Sequence, residues 1–158
     1  VASAYRRSFL QDLGIGLASV RAGNVIGGGD WANDRLIPDI LRSFEKNESV
    51  VIRNPKSKRP WQHVLEPLSG YLILAEKLYE NQGEYSEGWN FGPNEQDVKP
   101  VDWILEHMIE QWPGASWVLD ENENPHEATL LNLDVSKAPE LQGWTPTWDL
   151  QMTLGNLI

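Results

Sequence analysis

The sequence contains no cysteine. Disulfides, thiol nucleophiles and thiolate metal sites are therefore excluded, and the composition fits a cytoplasmic protein. Histidine is nearly as scarce: His63, His107 and His126 stand far apart, show no metal-ligand spacing, and no metal is expected. Positive charge is also short, with 13 Lys and Arg against 23 Asp and Glu and a net charge of −10. That balance argues against nucleic acid and against an anionic membrane as partners. No long apolar run exists, whereas a spanning helix needs about 20 predominantly apolar residues. Val1 to Leu13 does not read as a signal peptide, because Arg6, Arg7 and Asp12 interrupt it in an amphipathic pattern. A phosphate-cradling G-x-G-x-x-G turn is missing too. The GGGD at 27–30 lacks that spacing, and no βαβ unit with a downstream acidic ribose partner follows it.

What is present is an alternation of strand-like and helix-like segments in 158 residues, a length that suits one domain of the α/β class. Ala2 to Leu13 reads as the last turns of a helix stopped by Gly14. Ile15 to Asn24 reads as a strand, apolar on both faces and so expected to be buried in a parallel sheet. Gly27 to Asn33 is loop, and Leu36 to Lys46 is a helix with Pro38 in its first turn. Val50 to Arg53 is a short strand, Asn54 to Arg59 a basic turn, and Pro60 to Val64 extended. Glu66 to Asn81 is the clearest helix: Leu68, Tyr71, Leu72, Ala75, Leu78 and Tyr79 make one apolar face. A strand at Gly88 to Phe91, a helix at Pro100 to Gln111 and a strand at Ser116 to Leu119 follow. Beyond the acidic loop Asp120 to Glu127, the pattern predicts a strand at Leu130 to Leu133. It then predicts a short helix from Asp134 to Leu141 and a final helix at Trp148 to Leu157.

Three clusters carry chemistry. Asn24 ends the first strand, where ligand crevices form in α/β proteins, and its amide can donate to a phosphate or sugar oxygen. Lys56, Lys58 and Arg59 make a basic patch beside Trp61 and His63. A guanidinium offers fork-like bonds to phosphate, so Arg59 is the strongest diphosphate candidate of the three. His63 reads as a packed histidine and His107 as part of a solvated face. Pro125-His126-Glu127 follows an acidic loop, and a carboxylate there could bond a ribose hydroxyl; the alternative reading is a surface loop. Eight tryptophans are dispersed through the chain. Most read as packing residues, and Trp31 and Trp61 are the candidates for sugar stacking.

Taken in order, RAGNVIGGGDW (21–31), RLIPDILRSF (35–44), RPWQHVLEPLSGYL (59–72), WNFGP (89–93), PHEATLLNLDVSKA (125–138) and LQGW (141–144) resemble a known family. They are similar to the C-terminal half of the extended short-chain dehydrogenase/reductases that act on nucleotide sugars. GGGDW paired with RPWQHV, and the PHEA segment, point to its 4,6-dehydratase branch. The resemblance implies a Rossmann-type fold in which residues 1–33 are a remnant of the NAD-binding domain. Residues 34–158 would be the substrate-binding domain, with a strand near 88–92 returning to the nucleotide-fold sheet. It also implies NAD as cofactor, held mainly by a half preceding Val1 that would carry a Tyr-x-x-x-Lys pair. In such an enzyme NAD takes hydride from sugar C4, water leaves across C5 and C6, and hydride returns to C6. Asn24 matches the position contacting the sugar-diphosphate, and Arg35 and Leu36 match the segment lining the nucleotide. Val51 and Arg53 match the strand beside the base, Arg59 the diphosphate-binding arginine, and His126 and Glu127 the loop closing on the ribose. A homo-oligomer is expected. Two alternatives stay open: an epimerase or dehydratase of another nucleotide sugar, and a non-catalytic carbohydrate- or protein-binding module.

Overall fold

In the computed structural model the described residues are 1–122, 133–141 and 143–157. The chain opens with α1 (Ala2–Tyr5), which runs on through a π-helical segment (Arg6–Leu10) and a 3-10 turn (Gln11–Leu13). It stops at Gly14, whose φ of 64° is left-handed and costs glycine no Cβ clash. There follow β1 (Ser19–Ala22), β2 (Asn24–Ile26), α2 (Leu36–Glu45), β3 (Val50–Ile52), β4 (Lys58–His63), α3 (Leu65–Glu80) and α4 (Gln82–Tyr85). The chain continues through β5 (Gly88–Phe91), β6 (Val98–Pro100), α5 (Val101–Gln111), β7 (Trp117–Leu119) and α6 (Leu150–Gly155).

The strands form small sheets. β1 runs parallel to β5, and β3 runs parallel to β7. β4 lies between β2, to which it is parallel, and β6, to which it is antiparallel. Gly23 is where the chain passes from the first sheet to the second. Its N–H still donates to the Phe91 carbonyl at 3.2 Å, as the last rung on β5. The next residue, Asn24, already pairs with Trp61 on β4. The buried Gln62 amide donates to the same Phe91 carbonyl at 2.9 Å, so one oxygen ties both sheets together.

Two apolar clusters hold the elements. One gathers Ile37, Ile40 and Phe44 of α2 with Ile104, Leu105 and Met108 of α5, Ile26, Trp61, and Leu150 and Leu154 of α6. The other packs Leu74, Trp89, Phe91, Ala138, Leu141 and Trp144. Each such large side chain contributes on the order of 1.5–3 kcal/mol when fully buried. Two buried carboxylates anchor the C-terminal segment to these clusters. Glu66 accepts from the N–H groups of Thr147 (2.9 Å) and Trp148 (3.0 Å), and Asp97 accepts from that of Leu150 (3.1 Å). Asp149 caps α6 by accepting from Met152 N at 2.8 Å.

Several expectations need correction. The strand expected over Ile15 to Asn24 is shorter, breaks at Gly23, and is not buried: Ser19, Val20 and Arg21 are exposed. The reason is that β1 has β5 as its one strand neighbour among the described residues. On α3, Leu72 and Tyr79 of the expected core face are 73% and 88% exposed. The helix instead seats Pro67, Gly70 and Leu74, because Gly70 lets it touch Phe91: a Cβ there would meet that ring at 2.4 Å. Lys58 and Arg59, expected in a turn, are the first residues of β4, pulled into extended form by pairing with Lys99 and Pro100. The short helix from Asp134 is a 3-10 turn over Ala138–Glu140, with Asp134 accepting instead from Ser136 N at 3.0 Å. The final helix is confined to Leu150–Gly155. The strand expected at Leu130 to Leu133, like His126 and Glu127, falls almost wholly outside the described residues.

Candidate functional site

A groove runs past the C-terminal end of β1, the edge at which α/β sheets place ligands. It consists of two adjoining cavities of about 750 and 240 Å³ that share Asn24, Asp34, Leu36 and Trp61 in their walls. Volumes of this order suit a small organic ligand.

The sheet crossover at Gly23 positions Asn24 at the junction of the two cavities. Among the described residues its side-chain amide makes no hydrogen bond, so both its donor and its acceptor remain available to a ligand. The larger cavity is walled by the Gly27–Gly29 loop and the start of α2. Gly28 and Gly29 have nothing within 4 Å of a would-be Cβ, whereas residues 31 and 32 are pinned from α2. Arg42 donates to the carbonyls of Trp31 (3.0 Å) and Ala32 (3.1 Å) and pairs with Asp39. Arg35 precedes α2 with an extended backbone and an exposed guanidinium, and Leu36 lies beside it, half-buried.

The smaller cavity is built by β3, the turn after it and the start of β4. It is lined by Val51, Arg53 and Arg59 together with Asn54 and Ser57. Val51 and Arg53 are exposed, whereas Arg59 is half-buried and donates to the Lys58 carbonyl at 2.9 Å. The rest of the expected basic patch divides. Lys56 pairs with the buried Asp102 carboxylate at 2.6 Å, and that hydrogen bond raises its pKa above 10.5. Its charge is thereby answered within the protein. The structure thus brings Asn24, Leu36, Val51, Arg53 and Arg59 to one cavity and adds Arg35 on the adjoining one.

The two tryptophans singled out for sugar stacking separate. Trp31 is 60% exposed on the rim. Trp61 is 5% exposed and its indole N–H is committed to the Lys99 carbonyl at 3.0 Å, because β4 is flanked on both sides. Its role is packing. His63 is packed as expected, its ring 4.6 Å from that of Trp148 and its Nδ1 accepting from Leu65 N at 3.3 Å. His107 stacks on Trp103 at 5.3 Å with the rings nearly parallel, half-buried, and its Nε2 lies 3.1 Å from Gln111 Nε2 at the surface.

Among the lining residues that escaped the sequence reading, Asp34 and Asn54 stand out. Asp34 adopts a positive φ of 58° and faces both cavities. The Asn-Asp pair that turns the chain there was the available signal. Asn54 has a buried Nδ2 with no partner, a donor whose situation no local pattern reveals. A dinucleotide does not fit these residues. The glycine run at 27–29 follows β2 directly but is separated from Leu36, the start of α2, so among the described residues it does not open a helix whose N-terminus could take a phosphate. Among the described residues no group of three His, Asp or Glu is placed to hold a metal ion. Nor is any helix among them long and apolar enough to cross a membrane.

Comparison with known proteins places this groove in context. The chain is 59% identical, over its whole length, to the CDP-glucose 4,6-dehydratase of Salmonella typhimurium, of which it spans 46%. No protein-family model matches the chain. Among solved structures, the UDP-glucuronic acid 4-epimerase of Bacillus cereus, in complex with UDP-glucuronic acid and NAD, superposes with a TM-score of 0.77 at 20% identity. That match covers 98% of this chain and 46% of the epimerase. The dTDP-glucose 4,6-dehydratase of Bacillus anthracis, in complex with NAD, gives 0.72 at 18% identity, again over 98% of this chain and 46% of the other. The resemblance read from the sequence therefore holds: the chain has the fold of the extended short-chain dehydrogenase/reductases that handle nucleotide sugars. It spans about half the length of the proteins it matches.

Proposed function

We propose that this chain, a relative of a CDP-glucose 4,6-dehydratase at 59% identity, is the substrate-binding part of an enzyme with that activity. The observation that carries the reading is the identity over the whole chain, together with the groove that joins Asn24 to Arg59. In this reading the Asn24 amide donates to the sugar-diphosphate and Arg59 grips the diphosphate oxygens. Arg35 and Leu36 line the nucleotide, and Val51 and Arg53 flank the base. To His126 and Glu127, which lie outside the described residues, this reading assigns contact with the ribose. Residues 1–33 belong with the nucleotide-fold domain and 34–158 with the substrate domain, apart from the strand near 88–92. NAD is held by the portion of the complete enzyme that this chain does not include. We place the complete enzyme in the cytoplasm and read it as a homo-oligomer; the exposed Tyr5, Phe9, Leu68, Leu72 and Tyr79 on α1, its continuation and α3 support the second of these, because they offer apolar surface for association.

The test is a calorimetric panel of CDP-, dTDP-, UDP- and GDP-glucose. CDP-glucose is expected to bind most tightly, and the full-length protein with NAD is expected to yield the 4-keto-6-deoxy product. Preference for another nucleotide would move the assignment to a different nucleotide-sugar enzyme. Binding of free sugars with no dependence on the nucleotide would abolish it.

A further inference from the structure

A second cleft, of about 360 Å³, lies between the N-terminal helical segment and α4. The function proposed above makes no use of it. Arg7 and Gln11, one helical turn apart, form one wall with Arg6, and Gln82 and Ser86 form the other. The cleft sits at the opposite edge of the β1–β5 sheet from Asn24. Arg6 and Ser86, one from each wall, both hydrogen-bond to the backbone of Leu17, which precedes β1; Ser86 precedes the parallel strand β5, whereas Asn24 follows β1.

The lining is electrostatically one-sided. Among the described residues its charged members are two guanidiniums, in a chain where acids outnumber bases 23 to 13. The acids nearest in sequence, Asp12, Glu84 and Glu87, are not part of the lining. Glu84 accepts from Asn81 at 2.8 Å, and Glu87 pairs with Lys137. The donors are partly fixed in advance. Arg6 Nε donates to the Leu17 carbonyl at 2.6 Å, which holds the guanidinium while leaving its terminal N–H groups unspent. Ser86 Oγ accepts from Leu17 N at 3.1 Å and keeps its own proton to give. Among the described residues, the side chains of Arg7, Gln11 and Gln82 have no hydrogen-bond or ionic partner. A cleft with fork-shaped cationic donors, two carboxamides and no competing carboxylate is complementary to a planar or tetrahedral oxyanion.

We propose that this cleft binds a small oxyanion, a carboxylate or phosphate group, at the end of the sheet opposite the nucleotide-sugar groove. The test uses the ¹⁵N-labelled chain carrying Arg59→Ala, so that the diphosphate candidate in the other groove cannot respond. Inorganic phosphate and citrate are titrated separately, with chloride at matched ionic strength as the control, and the arginine Nε–H resonances are followed. The Arg6 and Arg7 signals are expected to shift saturably with phosphate, citrate or both, and not with chloride. Saturation by one and not the other identifies which oxyanion the cleft takes. Arg7→Ala, at an exposed side chain without partners, is expected to keep the fold and weaken binding by about tenfold or more, and Gln11→Ala to weaken it less. Shifts that match those with chloride, or an unchanged affinity in Arg7→Ala, overturn the proposal.

Discussion

A Cβ placed on Gly23 would stand 2.3 Å from the carbonyl oxygen of Pro60. This contact explains how the chain crosses between sheets. Only a residue without a side chain lets β1 and β2 run on either side of the crossover while β4 lies against it. Gly23→Ala must push β4 away or bend the crossover. A loss of about 1–3 kcal/mol is expected, the range for overpacking a close contact. Urea unfolding of wild type and variant checks it, and coincident midpoints would contradict the geometry. Asn24 rides on the same crossover, so ligand affinity in the groove is expected to fall as well.

Glu66 is the tie between α3 and the C-terminal segment. Glu66→Ala strands the N–H groups of Thr147 and Trp148 in a buried position. Each orphaned group costs about 1–3 kcal/mol. Glu66→Gln keeps the shape and one acceptor, and is expected to lose less. Thermal unfolding should rank wild type above Glu66→Gln and Glu66→Ala last. Equal stability of the two variants would show that the carboxylate pair of acceptors is not what matters.

Lys56 and Asp102 make a pH-dependent contact. The hydrogen bond to Asp102 raises the folded-state pKa of Lys56 above its ordinary 10.5. A group whose folded pKa is raised contributes stability that is fully present below the unfolded value and lost as pH rises through the folded one. The stability gap between wild type and Lys56→Gln is therefore expected to be constant at neutral pH and to close above about pH 10.5. Denaturant titrations across pH 7 to 12 measure it. A gap that persists at the alkaline end would mean that the pair is not the source.

Arg59→Ala addresses the groove itself. Loss of a bond to a charged group is expected to cost about 1.5–3 kcal/mol of nucleotide-sugar affinity. Lys56→Gln, whose charge is already engaged by Asp102, is expected to change affinity little by comparison. Equal effects of the two, in calorimetric titrations, would point to general electrostatic attraction instead of a diphosphate contact.

Much of this architecture is legible along the chain. Pro38 and the apolar spacing of Ile37, Ile40 and Phe44 locate α2 within a residue, and Gly14 marks the end of the first helical segment with the left-handed φ expected of it. What is not legible depends on partners distant in sequence. The break at Gly23 is set by Pro60, the seating of α3 by Phe91 and Trp144, and the burial of Trp61 by β2 and β6 on either side. Periodicity shows that Leu68, Leu72 and Tyr79 share a face, but it does not show what covers that face. In the groove, Asn24 and Arg59 each stood out by chemistry. Their common cavity follows from the pairing of Asn24 with Trp61, two residues past Arg59, and that register is a property of the fold.

The most direct test is a crystal structure of the chain, or of the full-length protein, with CDP-glucose. The diphosphate is expected in the groove with its oxygens about 2.7–3.2 Å from the Arg59 guanidinium and the Asn24 amide. A diphosphate bound elsewhere, with both side chains turned to solvent, would contradict the account.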